Sequence, residues 1–183
     1  MKGRYGAKPN KDGINCVASG ISNTMNTPVE IMEMSFPVRI ERYEVNPDSG
    51  GAGRYRGGCG AIRVWRLLDG ADATCALCME RMTSPPFGLL GGQPGAAAVV
   101  KLTTPEGATR HLPGKGAFNA PAGAVIEMVT PGSGGFGPVA ARDSAAIGRD
   151  LLDGYVSAAA AKRDYGVADP QALREAAESE DAR

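Results

Sequence analysis

Glycine and proline, and the way they cluster, constrain this chain more than anything else in it. The 183 residues include 26 Gly and 13 Pro, the two poorest helix formers. They crowd into short stretches at 46–60, 84–95, 112–123 and 131–138. Long-helix bundles and coiled coils do not survive such interruptions, and collagen is excluded because no Gly-X-Y period runs through them. Disorder is excluded by the 43% of hydrophobic residues, enough to build a core. Aromatic residues are only 5%, so that core is built from Val, Ile, Leu, Met and Ala. The length suits one domain.

Between the clusters lie short apolar runs that read as strands, at 36–45, 61–68, 73–82, 97–103 and 124–130. In the second run Ile62, Val64 and Leu68 share a face with Arg66, and Trp65 and Leu67 share the other. In the last, Val125 and Val129 flank Glu127 on one face, while Ile126 and Met128 lie opposite. Apolar groups on both faces predict a mainly β unit over 36–137, sandwich or barrel-like, with Gly/Pro-rich turns. Residues 1–35 read as an irregular segment with one short helix. There Thr27-Pro28-Val29-Glu30 has the form of a capping box with Pro at the first helical position, and Pro37 ends the helix. Residues 138–183 are rich in Ala and read as helices at 140–152, 157–165 and from Pro170 onward, with an acidic tail that frays. The whole is α+β.

Lys plus Arg equals Asp plus Glu, at 20 each, which argues against a general nucleic-acid binder. No apolar run approaches the roughly 20 residues needed to cross a bilayer. Met1 to Pro9 is charged without a following apolar stretch, so it is not a secretory signal. Cys16, Cys59, Cys75 and Cys78 are too scattered for a disulfide scaffold. A cytoplasmic protein with reduced thiols is expected.

Four constellations are candidates for chemistry. Gly132-Ser133-Gly134-Gly135-Phe136-Gly137 matches G-x-G-x-x-G, yet Pro131 and Pro138 bracket it and no second parallel strand follows. It reads as a turn passing close to other backbone. Cys75 and Cys78 are half of a zinc site without its other half, and three residues apart on a strand they face opposite ways. His111, the single histidine, has no nucleophile elbow to serve. The loop from Ser49 to Gly60 carries Arg54 and Arg56 among glycines; it suits either an anion or the acids of a neighbouring subunit. No catalytic set and no metal site assemble from this chain alone.

In these loops the sequence resembles the hydantoinase B/oxoprolinase family, which includes the large subunits of acetone-type and acetophenone-type carboxylases. Asn26-Thr27-Pro28-Val29-Glu30 matches the family's N-T-P-x-E segment. Asp48-Ser49-Gly50-Gly51-Ala52-Gly53-Arg54-Tyr55-Arg56-Gly57-Gly58 matches its S-G-G-x-G-x-x-R-G-G loop. Glu80-Arg81, Pro85-Pro86-Phe87-Gly88-Leu89 and Gly91-Gly92-Gln93-Pro94-Gly95 match its P-x-G-x-x-G-G-x-P-G turn. Pro131–Gly137 matches its last glycine turn, and Arg142, Asp150, Gly154, Ser157, Ala161, Tyr165, Gly166 and Val167 follow its closing helical pattern. Pro138 stands where the family has Asp, and Ser133 where it has Gly.

The resemblance covers 12–168 and implies the C-terminal portion of a longer subunit. The family's metal-ligand region has no positions here. It implies ATP-dependent cyclic-amide hydrolysis, with ketone carboxylation or an inactive remnant as alternatives. Expected partners are a hydantoinase A-like ATP-binding subunit and a chain carrying the N-terminal hydantoinase B portion. ATP with Mg²⁺ and a divalent metal are expected in those partners, and no cofactor in this chain. Arg54, Arg56, Gly57 and Gly58 are the candidate substrate or interface loop. Glu30, Arg81, Gly92, Gly134 and Gly135 are candidate structural supports.

Overall fold

The computed structural model describes residues 5–17, 25–68, 70 and 72–182. The charged start at Met1–Arg4, residues 18–24 of the irregular N-terminal segment and the final Arg183 lie outside the described residues. One helix and seven strands come first: α1 (Val29–Ser35), β1 (Val38–Asn46), β2 (Gly60–Leu67), β3 (Ala73–Cys78), β4 (Val99–Thr103), β5 (Thr109–His111), β6 (Lys115–Ala120) and β7 (Val125–Val129). A 3-10 turn at Val139–Ala141 leads to α2 (Ser144–Leu152), α3 (Ala158–Tyr165) and α4 (Pro170–Asp181).

The strands form an antiparallel five-stranded sheet in the order β1-β2-β7-β4-β5 and a separate β3-β6 ribbon. The α+β class stands, and the sheet does not close into a barrel. Strand β6 falls where the sequence predicts a turn, and β5 in a stretch without a strand pattern. Gly116 and Asn119 interrupt any alternation in β6, whose only large apolar residue is Phe118. It becomes a strand because β3 pairs with it, Cys75 opposite Phe118, an instance of tertiary context overriding local propensity. Its burial is equally weak, exposed at four of six positions.

Residues paired across an antiparallel sheet share a face, so the register locates the core. Trp65 lies opposite Ile126, itself opposite Leu102; Arg63 lies opposite Met128, itself opposite Val100. Leu67, Val100, Leu102, Ile126 and Met128 on this face pack with Leu77, Leu112 and Ala120, and Phe118 and Cys75 of the ribbon rest against them. Full burial of each large aliphatic contributes about 2 kcal/mol. A second apolar cluster, Ile147, Leu151, Val156, Ala160 and Ala161, joins the C-terminal helices.

The C-terminal helix boundaries follow their local chemistry. Asp143, Ser157 and Asp169 accept from backbone N–H groups at the starts of α2, α3 and α4, with Pro170 at the first position of α4. Gly166, at φ 68°, ends α3. The expected cap on α1 differs: Pro28 occupies the N-cap position and no side chain caps the helix. The helix expected from residue 140 begins at Ser144 instead, because residues 139–141 tighten into the 3-10 turn.

Candidate functional site

Three glycine loops, 48–60, 86–95 and 131–137, stack directly on one another. Phe136 is the middle member, bridging antiparallel to Tyr55 and parallel to Leu89. Their contact is backbone on backbone. A Cβ on Gly132 would stand 1.4 Å from the Ser49 carbonyl oxygen, and one on Gly57 would stand 2.0 Å from that of Ser133. Neither site admits a side chain. The N-terminal segment lies on the stack: Gly58 N–H donates to Tyr5 O at 3.2 Å, Ala7 N–H to Gly134 O at 3.1 Å, and Gly13 N–H to Arg56 O at 2.7 Å.

Beside the stack sits a quartet of charges, with Arg56, Arg142 and Asp150 buried and Asp12 half-buried. Arg142 pairs with both oxygens of Asp12 at 2.8 Å and with Asp150 Oδ2 at 2.6 Å. The Arg56 Nε reaches the same Asp150 oxygen at 3.0 Å, and its backbone N–H donates to Asp12 Oδ1 at 2.6 Å. Arg56 Nη1 also donates to Gly57 O and Asn15 Oδ1. The guanidinium of Arg56 lies 5.1 Å from the Tyr155 ring centroid, and that of Arg142 lies 5.7 Å from that of Tyr165. Two cations and two anions cancel.

The environment fixes their ionisation. Burial alone would raise the Asp12 carboxyl, but its bonds to Arg142 and to the Arg56 N–H outweigh that and hold it below its ordinary value. Burial opposes the charge on Arg56 and Arg142, yet Asp150 and Asp12 raise both above their ordinary values. Desolvation pushes the Tyr165 phenol up to about 12, with Arg142 partly offsetting it. The Cys59 thiol, buried and only partly compensated by Arg56, is also raised. Such a set braces the loops and offers no group poised to exchange a proton near neutral pH.

The sequence candidates distribute around this core. Arg56, read as a contact residue, is 4% exposed and engaged internally; Arg54 is its exposed neighbour, 5.5 Å from the Tyr55 ring. Gly57 and Gly58 are buried in the stack. Gly92 N–H donates to Leu89 O, and Gly135 N–H to Gln93 O. Glu30 is exposed in the first turn of α1 and forms no ion pair among the described residues. Arg81 holds φ 64°, its carbonyl accepting from Ala98 N–H at 2.9 Å. It lines a groove of about 400 Å³ with Phe87, Leu89, Gly134 and Gly135.

In the G-x-G-x-x-G turn, the N–H groups of Gly132, Ser133, Gly135, Phe136 and Gly137 all donate to other loops of the chain, leaving little to cradle a phosphate. No α-helix opens there either. Cys75 is half-buried and Cys78 exposed on β3; His111 is exposed on edge strand β5. Among the described residues no group of three or more His, Cys, Asp or Glu is placed to hold a metal ion. Asp12 and Asn15 were invisible as site residues in the sequence, because nothing local marks an acid whose partner stands 130 positions away.

The hydantoinase B/oxoprolinase family model matches residues 1–139. The chain belongs to that family. It is 32% identical over 169 residues to the B subunit of a putative D-/L-hydantoinase from Pseudomonas sp. (strain NS671), covering 91% of this chain and 28% of that one. Its fold superposes on the ATP-dependent caprolactamase from Pseudomonas jessenii with a TM-score of 0.76 at 26% identity, over 97% of this chain and 32% of the other. It also superposes on nucleotide-free acetone carboxylase, TM-score 0.75, 22% identity, over 94% and 28% of the two chains. This hydantoinase B-family chain spans about a quarter of the length of some curated relatives and about a tenth of others. No helix among the described residues is long and apolar enough to cross a membrane.

Proposed function

We propose that this chain is the C-terminal portion, or a small separately encoded piece, of an ATP-dependent cyclic-amide hydrolase of the hydantoinase/oxoprolinase type, structural rather than catalytic by itself. The observation that carries this reading is the internally paired quartet. The buried charges of the loop stack neutralise one another and serve to fix glycine loops against helices. Relatives described as the B subunit of a hydantoinase and the beta subunit of caprolactamase support assembly into a larger complex. In this reading a hydantoinase A-like subunit holds ATP with Mg²⁺, and the remainder of the hydantoinase B portion holds a divalent metal. Arg54 and the Arg81 groove are exposed surfaces available to face them, in a cytoplasmic complex.

A second reading, a subunit of a ketone carboxylase, draws on the fold shared with acetone carboxylase. Co-purification from the source, followed by phosphate-release assays, separates the two. ATP hydrolysis stimulated by a hydantoin, 5-oxoproline or caprolactam, with a ring-opened product, supports the hydrolase. Stimulation by acetone with bicarbonate supports the carboxylase. A solitary, cooperatively folding monomer with no associated chain overturns both and favours an inactive remnant.

A further inference from the structure

Among the described residues three guanidinium groups are buried: Arg56, Arg63 and Arg142. Two of them sit in the quartet with carboxylates. Arg63 has none. It is 4% exposed, forms no ion pair among the described residues, and its Nε and Nη2 have no hydrogen-bond partner. The indole Nε1 of Trp65, two residues along the same face of β2, is likewise buried without an acceptor. What touches Arg63 is aromatic: its guanidinium stands 4.9 Å from the Tyr43 ring centroid and 5.4 Å from that of Trp65. A desolvated charge with no counter-charge is among the most unfavourable things a fold can contain. Nε and Nη2 are the side-on fork that receives a carboxylate through two parallel bonds.

The surroundings indicate what supplies it. The β3-β6 ribbon packs on the sheet face that carries Leu67, Val100, Leu102, Ile126 and Met128. Toward the edge strand β1 the same face ends in Tyr43, 46% exposed and the more exposed of the two rings. Along this edge stand Ile31 at 50%, Met34 at 83% and Phe36 at 56% exposure. With Phe36 and Pro37 leading into β1, the edge from Phe36 to Tyr43 extends about 23 Å, too long for a small molecule and suited to a polypeptide. Apolar anchors around a desolvated Arg and aromatic rings are the make-up of an interface centre.

We infer that the α1–β1 edge is a docking face for the remainder of a hydantoinase B-type chain, which presents an Asp or Glu carboxylate to Arg63. This rests on the reading above that a further chain portion completes this one. Rotation of Tyr43, whose hydroxyl is held by the Asn26 side chain at 2.7 Å, opens the fork to the incoming acid.

The test uses the full chain and, as probe, the part of the Pseudomonas sp. hydantoinase relative outside the matched segment. Binding is measured by interferometry and the free chain's Tm by calorimetry. Arg63→Met is expected to weaken binding at least tenfold while leaving the Tm unchanged or raised, since an apolar isostere removes the orphan charge. Arg63→Lys should recover part of the binding. Met34→Asp, at a position exposed in the free chain, should also weaken it tenfold; Arg110→Met on β5, at the opposite edge, should not. Wild-type binding by Arg63→Met overturns the carboxylate contact. Should Arg63→Met fail to fold, wild-type binding by Met34→Asp overturns the docking face. Failure of the unaltered chain to bind the probe instead removes the completion reading, and this inference with it.

Discussion

Asp150 accepts from both Arg56 and Arg142, so its removal leaves two buried cations short of a counter-charge. Asp150→Ala should therefore cost about 3–5 kcal/mol in urea unfolding. Arg56→Ala should fall in the same range, and Arg174→Ala, on the exposed side of α4, should stay within about 0.5 kcal/mol. Burial of Tyr165 beside the quartet also sets an alkaline limit. Tyr165 titrates at about 12 in the fold against 10 ordinarily, so the folded state favours the neutral phenol. That contribution is fully present below pH 10 and is lost as pH rises through 12. Two pH units correspond to about 2–3 kcal/mol. Urea midpoints taken from pH 9 to 12 should fall more steeply for the wild-type chain than for Tyr165→Phe; parallel curves would show that this phenol is not the group responsible. Of the quartet, Arg56 was legible in the sequence as a candidate site residue, and Arg142 and Asp150 only as members of the closing helical pattern. Arg56 stood out by its loop, while Asp12 looked like one acid in a polar leader, because a partner far along the chain leaves no local mark.

The stacked glycine loops were legible as motifs but not as a stack. Spacing located each loop, and nothing in spacing says that the Gly132 Cα would rest against the Ser49 carbonyl. That closeness makes Gly132→Ala severe: at 1.4 Å from a backbone oxygen the added methyl has no room, and backbone on both sides must shift. A loss of at least about 3 kcal/mol is expected. Gly107→Ala is the contrast. It also adds a methyl, at φ 88° but into open space, and should cost only about 1 kcal/mol of backbone strain. Thermal melts of the two variants distinguish contact from conformation. Strands β5 and β6 were illegible for the opposite reason. His111, Lys115, Gly116 and Asn119 carry no periodic signal, and both strands exist because β4 and β3 were already there to pair with them.

At the scale of the molecule, the chain holds two apolar clusters with no residue in common. The sheet's cluster and the helices' cluster are joined by the quartet and by Asp48, whose N–H donates to Tyr155 O and whose carboxylate accepts from Ser157 N–H at 2.7 Å. Arg142 is the widest of these links, since it reaches Asp12, the Arg54 carbonyl and Asp150 together. Arg142→Met keeps the bulk and removes the reach, leaving Asp12 and Asp150 with fewer partners. The sheet packs through its own cluster, so its protection should hold. Hydrogen exchange followed by mass spectrometry should show amides of 144–165 exchanging at least tenfold faster in Arg142→Met, with Val100, Leu102 and Ile126 unchanged. Equal acceleration in the sheet would mean that the two clusters unfold as one unit and that the quartet is no hinge between them. Protection confined to the sheet in the variant would identify the quartet as the joint that couples the closing helices to the glycine loops.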